Sequence, residues 1–145
     1  MLHIESWYGE GEPLAEALAI RMAVFVEEQA VPLDEELDGK DSVTFHLLAR
    51  WSGQAVGTAR LFQGETAKVG RVAVLAGVRG KAIGAALMGA AETLAATHGA
   101  TLVGLDAQTT AIAFYERLAY VADGPEFLDA NIPHRHMTKR LFNLP

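Results

Sequence analysis

The chain contains no cysteine, and this absence excludes several kinds of chemistry. Without thiols there is no disulfide, no thiolate-bound metal and no cysteine nucleophile. No apolar run reaches the roughly 18 residues that a membrane-spanning helix needs. The first residues also lack the basic and apolar regions of a signal peptide, since Glu5 and Trp7 follow closely on Met1. We therefore expect a cytoplasmic protein with no membrane partner.

Charged residues are few, and their balance is acidic. They make up 21% of the 145 residues, against 50% hydrophobic residues, and the formal net charge is −6. This composition predicts one folded domain, residues 1–145, with a substantial core. Because Lys and Arg are scattered and form no basic face, no nucleic-acid partner is expected. An acidic surface suits a cationic or amine-bearing partner.

One stretch in the middle of the chain combines a buried strand, a basic turn and an apolar helix. The strand is indicated by Val69, Val72 and Val74, and the helix by apolar residues at helical spacing over residues 83–98. The turn between them, residues 79–84, has the sequence RGKAIG. The first N–H groups of a helix have no partners and carry the positive end of the helix dipole. The stretch therefore predicts a phosphate-binding site.

Two common nucleotide-binding patterns do not fit this stretch. A P-loop needs a glycine where Leu75 stands and a Ser or Thr where Ala82 stands, so its Mg²⁺ ligand is missing. The dinucleotide fingerprint G-x-G-x-x-G also fails, because Gly80 and Gly84 are four residues apart. Nucleotide hydrolysis is therefore not expected.

The rest of the chain predicts a mixed α/β fold. Strands are predicted at residues 3–7, 44–51, 55–62, 68–75, 101–106 and 136–142, and a further strand begins at residues 120–121. One helix is predicted at residues 14–25, continuing to Gln29, and a short one begins at Thr109 or Thr110. Residues 123–125, Asp-Gly-Pro, predict a turn. The strand–helix–strand order over residues 68–106 implies one parallel pair in an otherwise antiparallel sheet.

A run of acidic residues follows the first helix. It contains Asp34, Glu35, Glu36, Asp38 and Asp41. Such a run is usually a solvated loop. Alternatively, it forms a wall of a binding pocket that attracts a protonated amine.

Two segments resemble motifs of the Gcn5-related N-acetyltransferase (GNAT) superfamily. The central stretch is similar to its motif A, a strand followed by R/Q-x-x-G-x-G/A and a helix. The motif falls on Arg79, Ala82 and Gly84, with Ala82 where the family usually has glycine. Residues 111–120 are similar to A-x-x-F-Y-x-x-x-G-F, with Ala119 in place of glycine and Tyr120 in place of phenylalanine.

Further residues are similar to the small bacterial ElaA/YjcF-like branch, so the resemblance covers nearly the whole chain. They are Arg21, residues 24–29 and 36–38, His46, and residues 106–108 and 132–134. The resemblance implies a mixed, mostly antiparallel central sheet with one parallel βαβ pair splayed around the cofactor and helices on both faces. The implied cosubstrate is acetyl-coenzyme A (acetyl-CoA), with its pyrophosphate at the basic turn.

The resemblance also implies which residues bind this cosubstrate. They are Val72, Ala73, Val74, Arg79, Gly80, Lys81, Ala82, Ile83, Gly84, Ala85 and Gln108. A backbone N–H freed where the strand splays after Val74 would stabilise the oxyanion, while the valine side chains pack in the core. Gln108 would hydrogen-bond the pantetheine arm, or it caps the next helix.

Two side chains are candidates for the chemistry itself. Tyr115 occupies the family's usual position for the acid that protonates the leaving thiolate, although an aromatic pair with Phe114 is also typical of a core. Glu28 is the first choice for the acceptor side, or it is a helix-end carboxylate with local bonds only. The alternative bases are Glu27, Asp38, His46 and His134. No metal is expected, since His134-x-His136 lacks a third ligand at short spacing.

The sequence thus predicts an acetyl-CoA-dependent N-acetyltransferase. It would move an acetyl group to a primary amine of a small molecule or peptide by direct attack in a ternary complex. The alternative is a non-catalytic acyl-CoA-binding or regulatory module on the same fold. The Ala- and Leu-rich helices leave room for a homodimer face.

Overall fold

A computed structural model describes residues 1–141, where seven strands form one sheet. The strands are β1 (Leu2–Tyr8), β2 (Phe45–Trp51), β3 (Gln54–Phe62), β4 (Thr66–Val74), β5 (Leu102–Gln108), β6 (Val121–Asp129) and β7 (Ile132–Arg140). The helices are α1 (Leu14–Arg21), α2 (Leu33–Glu36), α3 (Ile83–Thr97) and α4 (Ile112–Arg117), and a π-helical segment (Met22–Glu28) continues α1. Among these, no helix is both long and apolar enough to cross a membrane.

The sheet is antiparallel except at one pair of central strands. Its order is β1-β2-β3-β4-β5-β7-β6, and within residues 1–141 only β4 and β5 run parallel. Helix α3 makes the crossover between these two strands. The predicted mixed sheet with one parallel βαβ pair is therefore confirmed.

Helices cover both faces of the sheet, and adjacent residues of β2 show why. Leu47 packs in a core with α3, whereas Leu48 packs in a second core with Ile20 of α1. Successive side chains of a strand point to opposite faces, so one strand supplies both cores. The approach of α3 depends on Gly57, because a Cβ there would lie 3.0 Å from a methyl carbon of Leu87.

The first long helix has the predicted extent but changes its geometry within it. After Arg21 the backbone hydrogen bonds change from the i→i−4 to the i→i−5 pattern. One example is the 3.1 Å bond from the N–H of Gln29 to the carbonyl of Val24. Such π-helical turns are frequent at functional sites. This one turns the end of the segment towards the middle of the sheet, where it contacts β4.

The prediction for the last two strands is wrong in two respects. Residues 123–125 are not a turn but part of β6, where a bulge lies between Asp123 and Phe127. The chain reverses instead at Ala130 and Asn131, whose φ values of 52° and 62° suit a two-residue hairpin turn. Strand β7 consequently begins at Ile132 rather than at residue 136. Phe142, the predicted end of that strand, lies outside the described residues.

Candidate active site

The two parallel strands separate after a short paired region. They are hydrogen-bonded only where Thr66 to Lys68 faces Leu102 to Gly104, although β4 continues to Val74 and β5 to Gln108. Beyond Lys68 the edge of β4 that faces β5 therefore has no strand beside it. A cleft of about 490 Å³ opens there. We call it the β4–β5 cleft.

The structure brings seven of the predicted site residues together in this cleft. They are Glu28, Val72, Ala73, Val74, Arg79, Gln108 and Tyr115. The others belong to the turn before α3 and its first residues, which do not line the cleft. The side chain of Ile83 is in the core with 1% exposure, so this residue can offer a ligand only its backbone.

The turn before α3 has the features of an anion site. No side chain caps the first turn of α3, so its N–H groups are left for a ligand. Ala82 has φ 60° and ψ 22°, a left-handed conformation that explains why glycine suits this position. Ala119, the other departure from the family pattern, also has a positive φ of 75°. Both alanines therefore keep a glycine-like backbone.

Gly84 has a packing role that its motif position does not reveal. A Cβ at Gly84 would lie 3.2 Å from the Cζ atom of Phe114. The missing side chain therefore lets α3 approach α4. The Lys81 side chain lies over Trp51, with its ammonium 5.6 Å from the centre of the ring.

Arg79 and Glu28, expected to serve cofactor and acceptor separately, bind each other. Two nitrogens of the guanidinium donate to the two carboxylate oxygens at 2.6 and 2.8 Å, and Nε donates to the carbonyl of Val74 at 2.9 Å. The bond from Arg79 lowers the pKa of the Glu28 carboxyl. The pair fixes the π-helical segment to the turn before α3.

Tyr115 belongs both to the core and to the cleft. Its ring is 8% exposed and packs edge-on against Phe114, while Tyr120 lies beyond it at 5.9 Å. Burial raises the pKa of the Tyr115 phenol to about 12, so this group is protonated at neutral pH. The two interpretations of the aromatic pair are therefore compatible.

Gln108 crosses the cleft rather than capping a helix. Its Nε2 donates to Oε1 of Gln29 at 2.8 Å, and no side-chain bond caps the 3-10 turn, Thr109–Ala111, that follows. The capping alternative is therefore wrong. The bond links the end of β5 to the end of the π-helical segment.

The acidic run contributes to the wall of the cleft, as the second interpretation expected, since Glu35, Glu36 and Asp38 line it. Three carboxylates of the run are nevertheless paired with arginines. The Glu36 carboxylate is 1% exposed and bound to Arg21. Asp38 accepts two bonds from Arg60, at 2.7 and 2.8 Å, and Asp41 accepts one from Arg21 at 2.7 Å. The bonds from Arg60 are the main cause of the lowered pKa of Asp38. These carboxylates are ion-paired and are not free to attract an amine.

Sequence reasoning missed two arginines that line the cleft, Arg60 and Arg71. Arg60 lies in the buried part of β3, and Arg71, with φ 51°, lies in β4. A charged residue in an apolar strand needs a buried partner, and the acidic run supplies the partners. The excess of carboxylates in the acidic run is the sequence feature from which buried arginine partners could have been predicted.

The two histidines of the His134-x-His136 pattern have separate partners. His136 pairs with Asp106 at 2.9 Å, and the Nδ1 of His134 lies 2.6 Å from the carbonyl oxygen of Ile132. No cluster of three metal-ligating side chains occurs within residues 1–141. His46 is fully buried outside the cleft, and burial lowers its pKa. His134 lines the cleft.

Comparison with known proteins identifies the family. The model of the acetyltransferase (GNAT) domain matches residues 12–141. The chain belongs to the GNAT family. It is 38% identical over 130 residues to YjcF of Bacillus subtilis, an N-acetyltransferase by name, and the match spans 88% of this chain and 93% of YjcF.

Solved structures of the GNAT family agree with this assignment. An acyl-CoA N-acyltransferase from Pseudomonas aeruginosa is 32% identical, with a TM-score of 0.85 over 96% of this chain and 99% of the other. ElaA from Escherichia coli is 26% identical, with a TM-score of 0.85 over 96% and 99%. This GNAT protein is therefore an N-acetyltransferase of the small bacterial ElaA/YjcF-like branch, as its sequence predicted.

Proposed function

We propose that this GNAT protein transfers the acetyl group of acetyl-CoA to a primary amine of a small molecule or peptide, by direct attack in a ternary complex. One observation carries the proposal. The β4–β5 cleft exposes an unpaired strand edge and includes Arg79 of the turn before the uncapped start of α3. A thioester in a pantetheine arm could lie along the strand edge while the pyrophosphate binds at the helix.

Backbone groups do most of the work of binding and polarising the donor in this proposal. Residues Val72, Ala73 and Val74 hydrogen-bond the pantetheine arm, and an N–H of this strand edge stabilises the oxyanion of the tetrahedral intermediate. The turn from Gly80 to Ala85 supplies N–H groups for the pyrophosphate, and Arg79 and Lys81 supply charge. Gln108 would exchange its bond with Gln29 for one with the pantetheine arm.

Tyr115 assists the leaving thiolate by donating a hydrogen bond. Its pKa of about 12 makes it a stable donor at neutral pH. Full proton transfer to a thiolate, whose conjugate acid has a pKa of about 8.5, would be uphill by about 5 kcal/mol. Stabilisation of the anion followed by protonation from water therefore fits the phenol better than a complete transfer in one step.

Glu28 remains a candidate for the acceptor side, where it lines the cleft. Its bond with Arg79 must break before the carboxylate can contact an amine. Pyrophosphate binding supplies a reason for the break, because it offers Arg79 another anion.

A non-catalytic module would be favoured if Ala82 and Ala119, which replace family glycines, had lost the glycine-like backbone. Since both keep the left-handed backbone, we favour the enzyme. Turnover tests the proposal: thiol release from acetyl-CoA is measured with a panel of polyamines, aminoglycosides, amino acids and peptides. Acetylation of at least one amine, with stoichiometric thiol release, is the expected result. Tight acetyl-CoA binding without turnover on any amine would favour the alternative.

A further inference from the structure

We propose that His134 is the general base that removes the proton of the acceptor amine, an assignment that rests on the function proposed above. Of the five histidines, His134 alone lines the β4–β5 cleft. Only 8% of this residue is exposed, so protein atoms surround most of its imidazole.

The sheet places His134 on the same face as Gln108, and both residues line the cleft. In the β5–β7 register it lies directly opposite Gln108. Directly opposed residues of antiparallel strands share a face, with Cβ atoms about 5 Å apart. Gln108 reaches from this face to Gln29 at the end of the π-helical segment. His134 therefore lies next to the contact that joins β5 to the candidate acceptor side.

A backbone carbonyl sets the tautomer of His134. The Nδ1 atom lies 2.6 Å from the carbonyl oxygen of Ile132, and a carbonyl can only accept a hydrogen bond. Nδ1 must therefore carry the proton, and Nε2 of the neutral ring has a free electron pair. The ring of Phe127 stacks on the imidazole at 5.8 Å and 22°, which restricts its rotation. The ring is thus prepared to accept a proton at Nε2.

The other proposed bases are less available. Glu28 is bound by Arg79, which lowers its pKa, and Asp38 is held by two bonds from Arg60. His46 is buried outside the cleft, and Glu27 does not line it. A general base needs both an accessible electron pair and a position near the acceptor. His134 alone among these residues meets both conditions without breaking an ion pair.

The reaction balances with this residue and the groups already named. A protonated acceptor amine gives one proton to Nε2 of His134, and its neutral nitrogen then attacks the thioester carbonyl. The tetrahedral intermediate expels CoA thiolate, and the nitrogen loses its second proton to water to leave the amide. The thiolate, held by the Tyr115 hydroxyl, takes a proton from water, and the imidazolium returns its proton to solvent.

The tautomer can be tested without any acceptor. In ¹⁵N NMR spectra of histidine-labelled protein, the His134 signals are assigned by their loss in His134→Gln. We expect the neutral imidazole to carry its proton on Nδ1 and none on Nε2. A protonated Nε2 in the neutral ring would overturn the assignment, because that nitrogen could not then accept a proton.

Kinetics with two small nucleophiles test the role itself. Thiol release from acetyl-CoA is measured at pH 7 with methylamine, which is mostly protonated, and with hydroxylamine, which is mostly neutral. We expect His134→Gln to lower kcat/KM for methylamine by at least about 100-fold, the usual scale of general-base catalysis, with a much smaller loss for hydroxylamine. The acetyl-CoA Kd should stay within about twofold, which separates a loss of base from a loss of folding.

His98→Gln is the matched control. Its Nδ1 also faces a backbone carbonyl, that of Leu94 at 3.0 Å, but it lies at the end of α3 outside the cleft. This variant should behave as the wild type. Equal losses for both nucleophiles, or none for either, in His134→Gln would overturn the role of His134. A wild-type protein that binds acetyl-CoA but acetylates neither nucleophile nor any amine would overturn the proposed function as well.

Discussion

The guanidinium of Arg79 and the carboxylate of Glu28, 51 residues apart in the chain, form a two-pronged ion pair of 2.6 and 2.8 Å. Arg79 begins the turn proposed to bind pyrophosphate, and Glu28 ends the segment proposed to line the acceptor side. Under the proposed function, binding of a diphosphate to Arg79 would compete with this pair. A single side chain would then couple cofactor binding to release of the Glu28 carboxylate.

This competition predicts the effect of a neutral residue at position 28. Glu28→Gln should tighten acetyl-CoA binding by about two- to tenfold, because Arg79 no longer has to leave a carboxylate. Isothermal titration calorimetry measures the change. Glu27→Gln is the control, since Glu27 is an exposed neighbour outside the cleft. Weaker binding in Glu28→Gln, or an equal gain in both variants, would contradict the coupling.

A second prediction concerns the hydroxyl of Tyr115. Tyr115→Phe keeps the ring in its packing against Phe114 and removes only the donor. We expect kcat to fall about tenfold or more while the Kd of acetyl-CoA is unchanged, as for the loss of a bond made to the leaving group. The loss should shrink when the donor is an acyl thioester of a more acidic thiol, whose thiolate needs less help. Unchanged turnover would show that Tyr115 is only a core residue.

The pKa of Asp38 predicts a pH dependence of stability. Its pKa is lowered in the folded protein, chiefly by its bonds from Arg60. The stabilisation is therefore present above the unfolded pKa of about 3.9 and is lost as the pH falls through that value towards the folded one. Asp38→Asn should be less stable than the wild type at pH 7, and the difference should narrow below about pH 4.

Denaturant unfolding at pH 7 and at pH 3 measures how much the difference in the free energy of unfolding between Asp38→Asn and the wild type decreases. Asp34→Asn is the control from the same acidic run, because Asp34 is exposed and forms no ion pair within residues 1–141. A difference between Asp38→Asn and the wild type that is the same at both pH values would mean that the ion pair with Arg60 contributes nothing.

Local patterns were sufficient to predict the centre of the fold. The strand β4, the turn and helix α3 are neighbours in the chain, so β-branched residues, glycine and helical spacing specify them together. The hairpin of β6 and β7 was misplaced because Gly124, with φ 75°, serves a bulge, while the turn uses Ala130 and Asn131. Alanine at a positive φ leaves no signal in a sequence.

The partners within the site could not be predicted in the same way. Glu36 and Arg21 are 15 residues apart, and Asp38 and Arg60 are 22 residues apart. These pairs depend on how α2 and the residues after it lie against α1 and β3, which charge patterns along the chain do not encode. The sequence therefore indicated several residues that line the cleft, but not which charged side chains neutralise one another.

The backbone at Ala82 gives a prediction for stability. Because φ is 60° there, Ala82→Gly should raise the free energy of unfolding by up to about 1 kcal/mol, or the melting temperature by about 2–4 °C. Ala96→Gly, in the exposed part of α3, should instead lower it by about 1 kcal/mol. Thermal unfolding of the two variants measures these opposite changes in stability. A loss of stability in Ala82→Gly would contradict the conformation described for this turn.

If the start of α3 and the β4–β5 cleft bind acetyl-CoA, a negative charge in the first turn of this helix should weaken that binding. Gly84 is unsuitable for substitution, since a side chain there meets Phe114. Ala85→Glu places a negative charge in the first turn of α3, where it favours the helix but repels a pyrophosphate. Thr93→Glu places the same charge about 12 Å further along this helix, where it is exposed.

Calorimetric titration with acetyl-CoA should show binding by the wild-type protein and Thr93→Glu, and a loss of at least about tenfold in affinity for Ala85→Glu. The absence of binding in the wild-type protein, or equal affinities in all three proteins, would contradict acetyl-CoA binding at this site.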